Sequence, residues 1–130
     1  MTYSRRANVG MLNLDTHILL NALEDLLDPN ERRILTEDGD WGISSIVLWE
    51  IEQLYRKGRI VYGLDYVPLM NSLRRMHIWP ITAEVCLNLR ILDFRSDPAD
   101  ELIAATSLSH NVPLVTRDAR IRSSKLVRCL

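Results

Sequence analysis

Met11-Leu12-Asn13-Leu14-Asp15-Thr16-His17-Ile18-Leu19-Leu20 is the stretch on which the reading of this chain turns. Met11 to Leu14 is short, apolar and suited to a buried strand. From Thr16 to Leu27 the pattern changes, with Ile18, Leu19, Ala22, Leu23, Leu26 and Leu27 at helical spacing. A strand feeding directly into a helix is the opening of an α/β unit. Asp15 sits at the junction, where an acid either caps the helix or belongs to a site.

The alternation continues. Asp28-Pro29-Asn30 breaks the first helix, Glu31 to Thr36 forms a second, and Asp38-Gly39-Asp40 is a turn. Trp41 to Ser44 reads as a second strand. Ser45 caps a helix from about Ile46 to Lys57, which Gly58 stops. Asp65 to Arg75 is a further helix. Ile78 to Ile81 is a third strand, and its Pro80 argues for an edge position. Thr82 caps a helix through Leu92. Asp97-Pro98 starts another that runs to about His110, with Asn111 as its C-terminal cap. Leu114 to Thr116 and Lys125 to Leu130 complete a count of about five strands. The order predicts an open, mostly parallel sheet with helices on both faces.

The 130 residues fit one domain, with 47% hydrophobic and 25% charged residues and no linker or repeat. Residues 1–8 read as a flexible N-terminal extension, and Met11 as an alternative start of translation. A net charge of -1 does not mark a nucleic-acid binder. Basic clusters at Arg5-Arg6, Arg32-Arg33, Arg56-Lys57-Gly58-Arg59, Arg74-Arg75 and Arg117 to Arg128 read as solvated helix ends or, together, as a phosphate-binding rim. Cys86 and Cys129 lack metal-ligand spacing, and Cys86 reads as core. No stretch is long enough to span a membrane and no secretory signal is present, which leaves the cytoplasm as the default.

Four acids stand out. Asp15 ends the first strand and Asp118 follows the fourth. Ligands in such sheets bind beyond the carboxyl ends of the strands. Glu50 falls between Ile46 and Val47 on a helical wheel, in the middle of an apolar face. Asp100 opens the apolar run Leu102 to Ala105, although with Asp97 as N-cap it also suits a capping box. Carboxylates gathered in one place cannot all stay ionised without cations. A Mg²⁺ or Mn²⁺ ion resolves the conflict and suits phosphodiester hydrolysis by activated water. Around them, Thr116 reads as a water-holding hydroxyl or a plain strand residue. His17 reads as a phosphate contact or a hydrogen-bonded structural group, and Arg117 as a phosphate ligand or the partner of an acid.

Four segments carry a family resemblance. Leu14-Asp15-Thr16-His17-Ile18-Leu19-Leu20 resembles the opening motif of PIN-domain proteins. Ser44 to Ile51, Asp97 to Thr106 and Asn111 to Asp118 are similar to their second, third and fourth motifs. The order and separations fit, most closely with VapC-type toxins of bacterial toxin–antitoxin pairs. The resemblance implies a three-layer α/β/α fold and a Mg²⁺- or Mn²⁺-dependent endoribonuclease with Asp15, Glu50, Asp100 and Asp118 as its catalytic, metal-binding acids. It further implies RNA as substrate, a cognate VapB-like antitoxin covering the site, and a homodimer. Glu101 stands where the third motif frequently has Arg, which keeps open a non-catalytic PIN-like module that binds RNA or antitoxin. A receiver-type phosphotransfer domain is the remaining alternative. It needs a lysine near the last strand, for which Lys125 is the candidate, and leaves the Glu50 helix unexplained.

Overall fold

The computed structural model describes residues 10–37 and 39–130. The expected extension at residues 1–8 lies outside them. In chain order the elements are β1 (Met11–Leu14), α1 (Thr16–Leu23), α2 (Pro29–Glu37), β2 (Asp40–Ser44), α3 (Ile46–Arg56), α4 (Val67–Arg74), β3 (His77–Trp79), α5 (Ala83–Asn88), α6 (Pro98–His110), β4 (Leu114–Val115) and α7 (Ala119–Arg122). A short 3₁₀ turn, Leu89–Ile91, follows α5.

All strands pair in parallel, in the order β3-β2-β1-β4. β1 therefore connects toward β2 on one side, while β4 returns to its other side. Right-handed crossovers running in opposite directions across a sheet place their helices on opposite faces. The reversal occurs at β1, which makes the carboxyl ends of β1 and β4 the topological switch point where such sheets bind ligands. The core is continuous. Leu12, Leu14, Ile43 and Leu114 from the strands pack with Ile18, Leu19, Val47, Ile51, Ile103 and Ile121 from the helices.

Asn13 is a polar exception inside that core. It is fully buried in β1, and its amide nitrogen donates to the Ile103 carbonyl at 3.1 Å and to Ser107 Oγ at 2.9 Å. These bonds fix α6 to the central strand.

Several boundaries differ from the sequence reading. α1 stops at Leu23 rather than Leu27, because Asp25 takes a left-handed conformation (φ 59°). The Leu26 and Asp25 amides then donate back to the Asn21 and Ala22 carbonyls, the pattern of a Schellman motif. Gly58 (φ 72°) ends α3 in the same way, as expected. Asp28 and Glu31 form a reciprocal capping box, each side chain accepting the other's backbone amide at 2.7 and 2.9 Å. The Asp28-Pro29 break is thus itself the start of α2. At α3 the hydroxyl that accepts the Ile46 amide belongs to Ser44, not Ser45. β3 ends at Trp79, before Pro80, and does lie at the sheet edge. Cys86 is exposed rather than core, since the short α5 buries only Val85.

Among the described residues the sheet has four strands, where about five were expected. Of the last segment only Cys129 bridges Leu114. Its start is held away from the sheet, where Asp93 accepts from Ser124 Oγ and from the Lys125 amide at 2.8 Å. Among the described residues no helix is long and apolar enough to cross a membrane.

Gly42 marks the tightest contact between β2 and the sheet edge. A Cβ there would stand 2.6 Å from two ring carbons of Trp79, whose indole also stacks on His110 at 5.4 Å. Gly42→Ala is expected to destabilise the protein by about 1–3 kcal/mol, the usual cost of overpacking. An unchanged urea midpoint would contradict this packing.

Candidate active site

The parallel register pairs Leu14 with Val115, so the next residue of each strand, Asp15 and Thr116, emerge side by side at the switch point. Asp15 is only 7% exposed. One carboxylate oxygen accepts the Ile18 amide at 2.8 Å and caps α1; the other accepts the Thr116 hydroxyl. Capping thus occupies one oxygen of Asp15, and the side chain still lines a cavity. Burial raises its pKa, against the bonds from Thr116 and Ile18 that favour the ionised form.

The Thr116 hydroxyl also accepts the Asp118 amide at 3.0 Å. One side chain thus joins the acids that follow β1 and β4. Asp118 caps the short α7 by accepting the Ile121 amide at 3.1 Å. Glu50 is half-buried on α3, and its carboxylate accepts the hydroxyl of Thr16, the first residue of α1.

Asp100 opens α6. It accepts the Ser96 hydroxyl at 3.1 Å, whereas the Ser96 amide goes to Glu101 at 2.9 Å. The backward capping contact is therefore made by Glu101, and the carboxylate of Asp97 makes no capping bond. Burial raises the pKa of Asp100, and the like charges of Glu50, Asp118 and Asp97 add to it.

These side chains meet in one cavity of about 450 Å³, lined by Asp15, His17, Asn21, Glu50, Asp97, Asp100, Arg117 and Asp118. All four expected acids are there, with Asp97 as a fifth. Arg117 borders the cavity, but its guanidinium is committed to a bidentate pair with Glu31, both contacts at 2.7 Å. Of its two readings, pairing with an acid is the one the geometry shows. His17 is exposed on the rim, and its imidazole is hydrogen-bonded to none of the described residues. Among those residues none of the five carboxylates has a cationic partner within 4.0 Å.

A net negative donor set dominated by carboxylate oxygens fits a hard divalent cation. No three His, Cys, Asp or Glu side chains among the described residues form a ready-made chelating group. Mg²⁺ does not require one, since it is commonly held by one or two carboxylates and keeps several waters.

Thr16, Ser96 and Asn21 carry parts of the site that the sequence reading passed over. Asn21 follows His17 by one helical turn, and that spacing was legible. Thr16 and Ser96 are recognisable only once their partners Glu50 and Asp100 are brought near from elsewhere in the chain.

A parallel sheet with carboxylates gathered at its switch point defines an α/β protein with an acid-lined site. More specifically, residues 13–125 match the model of the PIN domain, and the chain belongs to that family. It is similar to the ribonuclease VapC22 of Mycobacterium tuberculosis, 28% identical over 118 residues that cover 86% of this chain and 90% of that protein. Its fold is similar to that in the structure of VapBC2 from Rickettsia felis bound to a DNA fragment from their promoter. There the TM-score is 0.72 and the identity 22%, over 92% of this chain and 97% of the other. A toxin–antitoxin complex from Klebsiella pneumoniae gives 0.68 and 19%, over 89% and 94%.

The raised pKa values carry a sign that can be measured. A carboxyl whose folded pKa exceeds its unfolded value contributes stability below the unfolded pKa and loses it as pH rises through the folded one. Asp100 is therefore a net burden at neutral pH when no cation is supplied. Asp100→Asn is expected to unfold at higher urea than wild type in EDTA near neutral pH, with the difference shrinking on acidification. A variant less stable than wild type across that range would contradict the assignment.

Proposed function

We propose that this chain is a Mg²⁺- or Mn²⁺-dependent endoribonuclease toxin of the VapC type. The observation that carries the reading is the cavity at the switch point, lined by five carboxylates without a cationic partner among the described residues. Membership of the PIN domain family and the likeness to a protein named as a ribonuclease support it.

Asp15, Glu50, Asp100 and Asp118 are the catalytic and metal-binding acids. A divalent cation held there supplies Lewis acidity toward a phosphodiester and makes water a competent nucleophile near neutral pH. Thr116 and Thr16 are positioning residues. The first orients Asp15 and the backbone of Asp118, and the second orients Glu50. Ser96 does the same for Asp100. His17, on the rim, is placed to meet a substrate phosphate. Arg117 acts at one remove, tying the β4 end to the capping box of α2 through Glu31.

The non-catalytic alternative drew its support from Glu101. That carboxylate accepts the Ser96 amide and lines a different cavity with Arg90 and Arg95. It adds no charge to the acid cavity's lining, which favours the catalytic reading. The receiver-type alternative lacks its lysine, because the acid cavity has none in its wall.

The chain acts as a single domain in the cytoplasm, as a homodimer, and is neutralised by a cognate VapB-like antitoxin. The similar structures, of VapBC2 and of a toxin–antitoxin complex, support that partnership.

The test is cleavage of RNA in Mg²⁺ or Mn²⁺ by the antitoxin-free protein. Asp15→Asn and Glu50→Gln are expected to lose more than about 100-fold in activity while keeping the wild-type circular dichroism spectrum. That exceeds the roughly 10- to 100-fold cost of losing a residue that only supports a metal ligand, which is the range expected for Thr116→Val. Equal cleavage by wild type and both acid variants would refute the reading.

A further inference from the structure

A second cavity, of about 320 Å³, opens beside the acid cavity and shares Glu50 and Asp97 with it. One wall is a stripe along α3, where Trp49, Gln53 and Lys57 follow one another at four-residue spacing. Leu54, Pro98 and Ala99 supply the apolar remainder. Trp49 is 53% exposed and is not required by the core, because α3 buries Val47 and Ile51 instead. An indole, a carboxamide and an ammonium in one row, opening onto the proposed cleavage site, match the parts of a single nucleotide. The indole offers a stacking face, the amide meets a base edge, and the ammonium meets a backbone phosphate.

We propose that this cavity receives an unstacked RNA base next to the scissile phosphate, with Trp49 as its stacking platform. The proposal rests on the ribonuclease reading above. The acid cavity carries no free cation in its wall to draw RNA in, since Arg117 is paired with Glu31. Lys57, the C-cap of α3, lies seven residues beyond Glu50, roughly 10 Å at 1.5 Å per residue. Its exposed charge therefore falls within reach of a flanking phosphate. Stacking on one indole tolerates any base, so the pocket selects single-stranded over paired RNA more than it selects sequence.

Binding and cleavage of a labelled single-stranded oligoribonucleotide by the intact protein, in Mn²⁺, test this. Trp49→Ala is expected to raise both Kd and KM by roughly 5- to 100-fold, the span of one lost base–aromatic stack. Its kcat is expected to stay within about threefold of wild type, and Trp49→Phe is expected to restore most of the affinity. Wild-type Kd and KM in Trp49→Ala would overturn the proposal and leave the cavity to a protein partner. Absence of any RNA binding by wild type would also overturn it. If wild type binds but does not cleave, the ribonuclease reading fails, while the Kd of Trp49→Ala still decides this one.

Discussion

Leu14 and Val115 lie side by side in parallel strands, and the residues that follow them are joined by a hydrogen bond from the Thr116 hydroxyl to Asp15. The rest of the site is arranged around that contact. A hydrogen bond to a charged group contributes more than a neutral one, about 1.5–3 kcal/mol. Here it acts on a carboxylate that burial disfavours in its ionised form. The same hydroxyl accepts the backbone amide of Asp118, so losing it would loosen the link between the two acids. Asp15 and Asp118 in turn cap the helices that leave the two strand ends. The sheet register, the helix starts and the acid positions are therefore one set of bonds.

The other two acids arrive on helices and are tied in separately. Glu50 is held to the first turn of α1 by Thr16. Asp100 depends on the placement of α6, which the buried Asn13 fixes to β1 through Ile103 and Ser107. Asp15, Glu50 and Asp100 are thus each restrained by a hydroxyl neighbour, and Asp118 by a backbone amide, rather than by a cation. Neutral donors orient the acids without cancelling their charge, and like charges still raise the pKa of Asp100. The fold holds an electrostatic conflict in place, which a hard cation would relieve.

Much of this was legible in the residues. The change from apolar strand to helical periodicity at Asp15, the Asp97-Pro98 helix start, the Asn111 cap and the edge position signalled by Pro80 all reappear in the fold. The four acids share a cavity, Asp15 and Asp118 from strand ends and Glu50 and Asp100 from helices expected to begin near that edge. What was not legible has local causes. Asp25 ends α1 in a conformation that a glycine would have advertised. Asp28-Pro29 carries the same cap signal as Asp97-Pro98, but its proximity to α1 made it read as a break. The last segment has strand-like residues, yet Asp93, far away in sequence, holds its start off the sheet. Arg117 paired with Glu31 across 86 positions, and spacing alone cannot choose between an acid and a phosphate.

The claim on which the account stands is that the acid cavity binds a hard divalent cation. Calorimetric titration of the antitoxin-free protein with Mn²⁺ over a range of pH measures it directly. Saturable binding is predicted, with an affinity that weakens as pH falls, because protons compete with the ion for carboxyls whose pKa values are raised. Absence of saturable heat from a folded protein at millimolar Mn²⁺, or binding unchanged in Asp15→Asn, would contradict it.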